Sequence, residues 1–398
     1  MRKLRLLLLP LVIAGFVLAA CDAPETGENA PNNSNENADE FEAETLSSEY
    51  VEMRLDRVIG DLENPWSVAF LNDDEYLVTE KPGRLLHVRD GEATEIDGLP
   101  TIESHRQGGL MDVVLHPEFE DNGQIYLTFS KPDPNGSDDT ATALARGVLD
   151  GSSLTDVEEL FVQNQYSSPG RHYGSRLAWM DDGTLLMSIG DRGADPPRAQ
   201  DTEDHAGTLL RLTADGGVPD DNPFVGDDGV LDEIFSYGHR NIQGLVVDPD
   251  DQTIWATEHG PRGGDLLQRV EAGTNYGWPT VTQGLDYGTQ QQFPDAEARQ
   301  MEGIADPFHE YLPTLAPSGL ALVTHDRFED WQGDLLAGGL RAERILRTVP
   351  GDDEVLHIEE LLLQEIGRIR DVREGPNGDI FVLTDASDGG LYRISAAD

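Results

Sequence analysis

Cysteine and lysine are almost missing from this chain. The only cysteine is Cys21, so no internal disulfide can form. Lysine occurs only at Lys3, Lys81 and Lys131, while 76 acidic residues face 28 basic ones and leave a formal charge of -48. That balance excludes nucleic acid as a partner, because binding phosphates requires a basic face. Acid excess with little lysine is what a protein in concentrated salt carries, since screening collapses repulsion among surface carboxylates, so a halophilic source is expected. A thermal melt that keeps its midpoint from molar salt to dilute buffer would refute it. Helical periodicity is weak throughout, which disfavours an α/β barrel.

What is present begins with an export signal. The N-terminus "MRKLRLLLLPLVIAGFVLAACDAPE" has a basic start, a short apolar run and small residues before Cys21. The run is too short for a transmembrane helix. Leu18-Ala19-Ala20-Cys21 resembles a bacterial lipobox, which implies lipidation of Cys21 and attachment to a membrane on its periplasmic or outer side. Residues 1–21 are therefore expected to be a lipoprotein signal. Residues 22–48, rich in Asn, Glu, Ala and Ser, read as a flexible acidic tether, and 49–398 as the folded body.

The body repeats one theme: an apolar strand, a turn rich in Asp, Asn and Gly, a second strand, then glycine and a third. Six copies run from "NPWSVAFLNDDEYLVTEKPGRLLHV" to "IRDVREGPNGDIFVLTDASDGGLYRI". Hairpin signals repeated at such spacing predict an all-β, six-bladed β-propeller. Long insertions between Pro132 and Gly174, Ala194 and Asn241, and Thr280 and Ser318 are expected to line one mouth. "VEMRLDRVI", at 51–59, is placed to close the ring against the last blade.

Polar clusters recur where the repeat passes from strand to loop: "SHRQGGLMD", "GRHYGSRL", "IGDRG" with Asp191 and Arg192, "YGHRNIQG", "EHGPRGGD" and "GGLRAERI". In "GRIRDVREGPNGDIFVLTD", Arg368 and Arg370 stand two apart on a strand and point to one face. Surface arginine pairs mostly answer carboxylates, for about 0–1 kcal/mol each. Two guanidinium forks on one face also make a carboxylate receptor.

These stretches, with "NYGWP", "PTLAPSG" and "RIRD" in the same order over 60–395, resemble the soluble quinoprotein sugar dehydrogenases, the pyrroloquinoline-quinone (PQQ)-dependent glucose and aldose dehydrogenases. The resemblance implies oxidation of aldose sugars at the anomeric carbon to lactones, by hydride transfer to the quinone and on to an unidentified electron acceptor. It implies His172 as base, Gln107 beside it, and Arg240 and Asn241 on the quinone oxygens. Arg341, Arg368 and Arg370 would clamp the cofactor carboxylates. The main-chain carbonyls of Gly260 and Pro261 would bind Ca²⁺, with Asp265 next to that site. Arg192 stands where the glucose-specific branch has glutamine and is assigned to the cofactor. Leu312 stands where an aromatic sugar platform is expected, which leaves stacking to Tyr311. Tyr276 and Trp278 of "NYGWP", and Arg176, are read as blade packing.

Two other readings share this fold. A non-catalytic sugar- or protein-binding propeller would have no use for His172, Arg240 and Arg368 together. A calcium-dependent lactonase would hold its metal with Asp, Glu and Asn side chains and would not need a cationic clamp.

Overall fold

The structure is a computed structural model describing residues 43–168 and 170–397. Cys21, the signal and residues 22–42 of the tether lie outside the described residues.

Twenty-five strands form six small antiparallel sheets among the described residues. Blades one to five are four-stranded meanders within 65–96, 110–162, 177–237, 242–311 and 317–361. The sixth sheet takes three strands from the C-terminus and two from the N-terminus. Glu52–Leu62 pairs antiparallel with Gly389–Ala396, Leu55 opposite Ile394, and so closes the ring as expected. Glu44–Ser47 adds a further strand on its outside. The last residues assigned to the tether therefore belong to the sixth blade.

Each gap between neighbouring blades holds its own apolar cluster. Leu77, Leu85 and Val113 lie between blades one and two, and Ile345, Val372 and Ile380 between five and six. A fully buried aliphatic side chain stabilises by about 1.5–3 kcal/mol, and six such seams joined end to end hold the ring without a disulfide. Near the axis apolar residues give way to charge. Arg176 stacks on Trp66 at 4.1 Å and sits 2.9 Å from Asp371, while Arg373 donates to Asp112 at 2.8 Å and to Asp371 at 3.1 Å. Arg176 is structural, as expected.

Two of the expected insertions carry blade strands. Between Pro132 and Gly174 run Thr140–Asp150 and Ser153–Val162, and between Ala194 and Asn241 run Thr208–Leu212 and Ile234–Tyr237. The outermost strands escape a pattern search because they face water: "SLTDVEELFV" is mostly exposed and has no apolar alternation.

In a four-stranded meander, the entry to the first strand and the turn between the second and third lie at the same end. Gln107, His172, Arg240 and Arg368 sit at or next to entries to inner strands. Lys81, Asp191, Gly260, Arg341 and Asp385 lie in second-to-third turns. The topology thus delivers these nine loops from six blades to one mouth.

Candidate active site

His172 precedes the inner strand of blade three, with a backbone φ of 54° that L-residues seldom adopt. Three contacts hold it there. Its N–H donates to Gln107 Oε1 at 2.9 Å, its carbonyl accepts from Arg192 N at 3.3 Å, and its Nδ1 lies 2.6 Å from Asp191 Oδ1. Gly190 must be glycine because a Cβ there would collide with the His172 carbonyl.

Asp191 also accepts from Trp278 Nε1 at 2.7 Å and from Gly193 N at 2.8 Å. Burial works against its charge, but His172, Arg240 and these hydrogen bonds outweigh it and keep its pKa below the ordinary carboxylate range. Burial first, and then the Arg240 charge, push His172 down to about 4. An ionised carboxylate only accepts, so the imidazole proton sits on Nδ1, and Nε2 is a lone pair without a hydrogen-bond partner among the described residues. Trp278, expected to be packing, is therefore part of the base assembly. Tyr276 does pack, stacked 4.6 Å from His239.

Arg240 donates Nη1 to the His259 carbonyl at 3.0 Å and lies 5.3 Å from the Trp278 ring, and its buried Nε has no partner. Asn241 Oδ1 accepts from Gly174 N at 3.0 Å, which ties it to the segment carrying His172. His259, not singled out in the sequence, is half-buried beside Arg240 with a buried, unpartnered Nε2, and desolvation followed by the Arg240 charge lowers its pKa to about 3.

Gly260 and Pro261 follow. Their carbonyls accept no hydrogen bond from the described residues, and a Cβ on Gly260 would collide with the Gly264 carbonyl. Buried Asp265 receives Gly260 N at 3.1 Å on one oxygen, and Ala316 N at 2.8 Å together with Thr314 Oγ1 on the other. It pins the "HGPRGGD" turn to the "PTLAPSG" loop. Among the described residues no cluster of three or more His, Cys, Asp or Glu side chains is arranged to hold a metal.

Arg368 and Arg370 do share a target, and in this structure it is Asp385. Arg368 Nη2 donates at 2.6 Å and Arg370 Nη2 at 3.0 Å, one to each carboxylate oxygen. Burial opposes the charge on Asp385, but Arg370 and Arg368 together hold its pKa far below the usual value. Arg370 also donates to Gln243 Oε1 at 3.1 Å, and its Nε is buried without a partner. Lys81 lies near the pair: burial, followed by the opposing effects of Asp385 and the two arginines, lowers its pKa. Arg341 is exposed on the adjacent turn.

Two expected residues do not belong to the site. Arg192 is fully buried, stacks 3.6 Å from the Tyr173 ring, and donates to the Arg171 carbonyl and to Thr140. Its guanidinium lies against Tyr173 with both Nη atoms held inside blade packing, which turns it away from the mouth, although its buried Nε has no partner among the described residues. Tyr311 is 1% exposed, on a strand whose side chain turns into the seam between blades four and five. It cannot stack on a sugar.

Comparison with known proteins gives the family and the fold. The Glucose / Sorbosone dehydrogenase family model matches residues 62–393. An aldose sugar dehydrogenase of Escherichia coli is 38% identical, over 84% of this chain and 90% of its own. The crystal structure of the soluble aldose sugar dehydrogenase from Escherichia coli in its apo form superposes with a TM-score of 0.83 at 36% identity, covering 87% of this chain and all of the other. The PQQ-bound aldose sugar dehydrogenase from Streptomyces coelicolor gives 0.71 at 25% identity, covering 87% and 99%. The chain belongs to the glucose/sorbosone dehydrogenase family.

Proposed function

We propose that this protein is a PQQ- and Ca²⁺-dependent aldose dehydrogenase that oxidises sugars at the anomeric carbon to lactones. One observation carries the reading: a neutral imidazole oriented by an ionised aspartate shares a mouth with guanidinium groups whose buried Nε atoms lack partners. Unsatisfied buried donors are costly unless a ligand meets them, and a polycarboxylate quinone is such a ligand. The bare carbonyls of Gly260 and Pro261 suit a hard cation, which would complete its shell with cofactor oxygens and water.

The quinone, made more electrophilic by Ca²⁺, would accept the hydride leaving C1 of the sugar. His172 Nε2 takes the C1 hydroxyl proton as the C1–O bond becomes a carbonyl. A positioned base of this kind contributes about 10²–10⁴-fold. Asp191 fixes the tautomer and steadies the imidazolium, and Trp278 and Gly193 keep Asp191 in place. Arg240 offers fixed positive charge where negative charge develops on the acceptor. Arg370 and Arg368, with Lys81 and Arg341 beside them, hold the cofactor carboxylates, and Asp385 sets the angle of the two arginines. The N-terminal pattern ending at Cys21 supports export and lipid anchoring of this enzyme to a bacterial membrane.

The test is reconstitution of purified apoprotein with PQQ and Ca²⁺, with bound cofactor followed by absorbance and dye reduction measured for a panel of aldoses. Turnover of aldoses that is lost in His172→Asn, with cofactor still bound, is the expected result. A fully loaded protein that oxidises no aldose would overturn the reading.

A further inference from the structure

In a chain with 76 acidic and 28 basic residues, an arginine without a carboxylate is conspicuous. Several arginines away from the mouth are matched by acids, Arg146, Arg211 and Arg347 each meeting at least two, while Arg269 donates to the Asp352 carbonyl. Around His172 the pattern reverses. Arg171, next to the base, donates among the described residues only to the Gly193 carbonyl, at 2.7 Å. Arg106, next to Gln107, is exposed and its side chain makes no ion pair among the described residues. Their two loops are joined, because Gln107 N donates to the Gly170 carbonyl at 3.1 Å and Gln107 Oε1 receives His172 N. The Arg171 charge is felt at the His172 imidazole. Arg171 precedes the base in sequence and Arg106 precedes Gln107, so two exposed arginines border the base and its Gln107 partner, and among the described residues neither forms an ion pair with a carboxylate.

We propose that the preferred substrate is an anionic aldose, a sugar bearing a carboxylate or a phosphate, whose charged group is held by Arg106 and Arg171 while its C1 hydroxyl meets His172. This rests on the dehydrogenase reading and adds the substrate class. Guanidinium forks match both carboxylate and phosphate, and the Gly193 contact holds one of them in place before the ligand arrives. An overall charge of -48 repels an anion at a distance, so the preference depends on this local pair and not on the net field.

The experiment compares glucose with glucuronate and with glucose 6-phosphate on the cofactor-loaded enzyme, the two anions separating the carboxylate and phosphate forms. Binding of the same sugars to loaded His172→Asn protein is measured by calorimetry. At least one anionic sugar should exceed glucose by about tenfold or more in kcat/KM and in affinity, as a pair of charge-assisted hydrogen bonds allows. The double substitution Arg106→Gln with Arg171→Gln should erase that advantage, lowering the anionic sugar far more than glucose. Glucose oxidised as well as both anions would overturn the proposal and leave the dehydrogenase reading standing. So would a double variant that slows every sugar equally, which would assign the pair to folding or to the electron acceptor. No aldose oxidised at all would remove the parent reading and this one together.

Discussion

Arg370 and Arg373 stand three residues apart on the same inner strand, Ile369–Glu374, and face opposite electrostatic conditions. Arg373 lies in the axial plug, between Asp371 and Asp112. Burial alone would lower its pKa, but those carboxylates more than reverse the effect. Arg370, one turn of the pleat nearer the mouth, shares Asp385 with Arg368 and keeps a buried Nε with no partner. The plug is matched charge for charge and closes the ring. At the mouth two guanidiniums share the single carboxylate of Asp385, the excess of positive charge that the proposed cofactor clamp requires. A propeller can thus carry a scaffold and a receptor built from the same residue types on one strand.

The comparison is broken most severely at the plug. Asp371→Asn should leave Arg176 and Arg373 buried with too little negative charge, at a cost of about 3–5 kcal/mol. Urea or thermal unfolding reads this directly. A change within 1 kcal/mol would mean the plug contributes little to closing the ring.

At the mouth the expected losses are functional. Asp191→Asn should lower kcat by about 10²–10⁴-fold, because a neutral amide no longer fixes the Nδ1–H tautomer of His172. Cofactor absorbance should be unchanged, and a fall in cofactor content instead would show Asp191 to be a scaffold residue. The pH profile sharpens the assignment. Native His172 stays neutral down to about pH 4, whereas an unfolded histidine takes its proton near pH 6.5. Above 6.5 the group has no effect on stability. As pH falls through 6.5 towards 4 the unfolded chain binds the extra proton, so stability declines while the base remains competent. The acid limb of kcat/KM should therefore fall near pH 4, and Arg240→Gln should move it upward.

A smaller effect is expected from Arg370→Ala. Losing one charge-assisted hydrogen bond to a cofactor carboxylate should weaken PQQ binding by about 10- to 100-fold, measured by titrating apoprotein and following absorbance. Asp385 would keep Arg368 in place, so binding should not vanish. An unchanged dissociation constant would return the pair to its structural role as a match for Asp385.

Much of this was legible before the structure. The hairpin repeat gave the six blades, and motif order pointed to His172, Gln107, Arg240, Asn241 and the Gly260 turn, which the fold brings to one mouth, because each is bound to a short local pattern. Asp385 was not legible, being one aspartate among 76 acidic residues with no signal to set it apart. Lys81 did carry a signal, as one of only three lysines. Trp278 was seen but assigned to packing, since nothing local shows that its indole N–H reaches an aspartate 87 positions earlier. Arg192 fails for the opposite reason. Its neighbour Asp191 points into the site, but its own φ of 59° turns the guanidinium inward onto Tyr173.

Tyr311 yields the smallest expected effect and the sharpest test of that lesson. As a sugar platform, it would lose most of its contribution on replacement by leucine and little on replacement by phenylalanine. Inside the seam between blades four and five the order of effects belongs to stability. Its hydroxyl is 3.5 Å from Thr348 Oγ1, at the limit of a hydrogen bond, and burial raises its pKa to about 12. Tyr311→Phe should therefore shift stability by about 0.5 kcal/mol or less, and KM for any sugar by less than about twofold, which is below 0.5 kcal/mol. A substantial rise in KM with an unchanged melting temperature would place the ring in the mouth after all and return the stacking role to it.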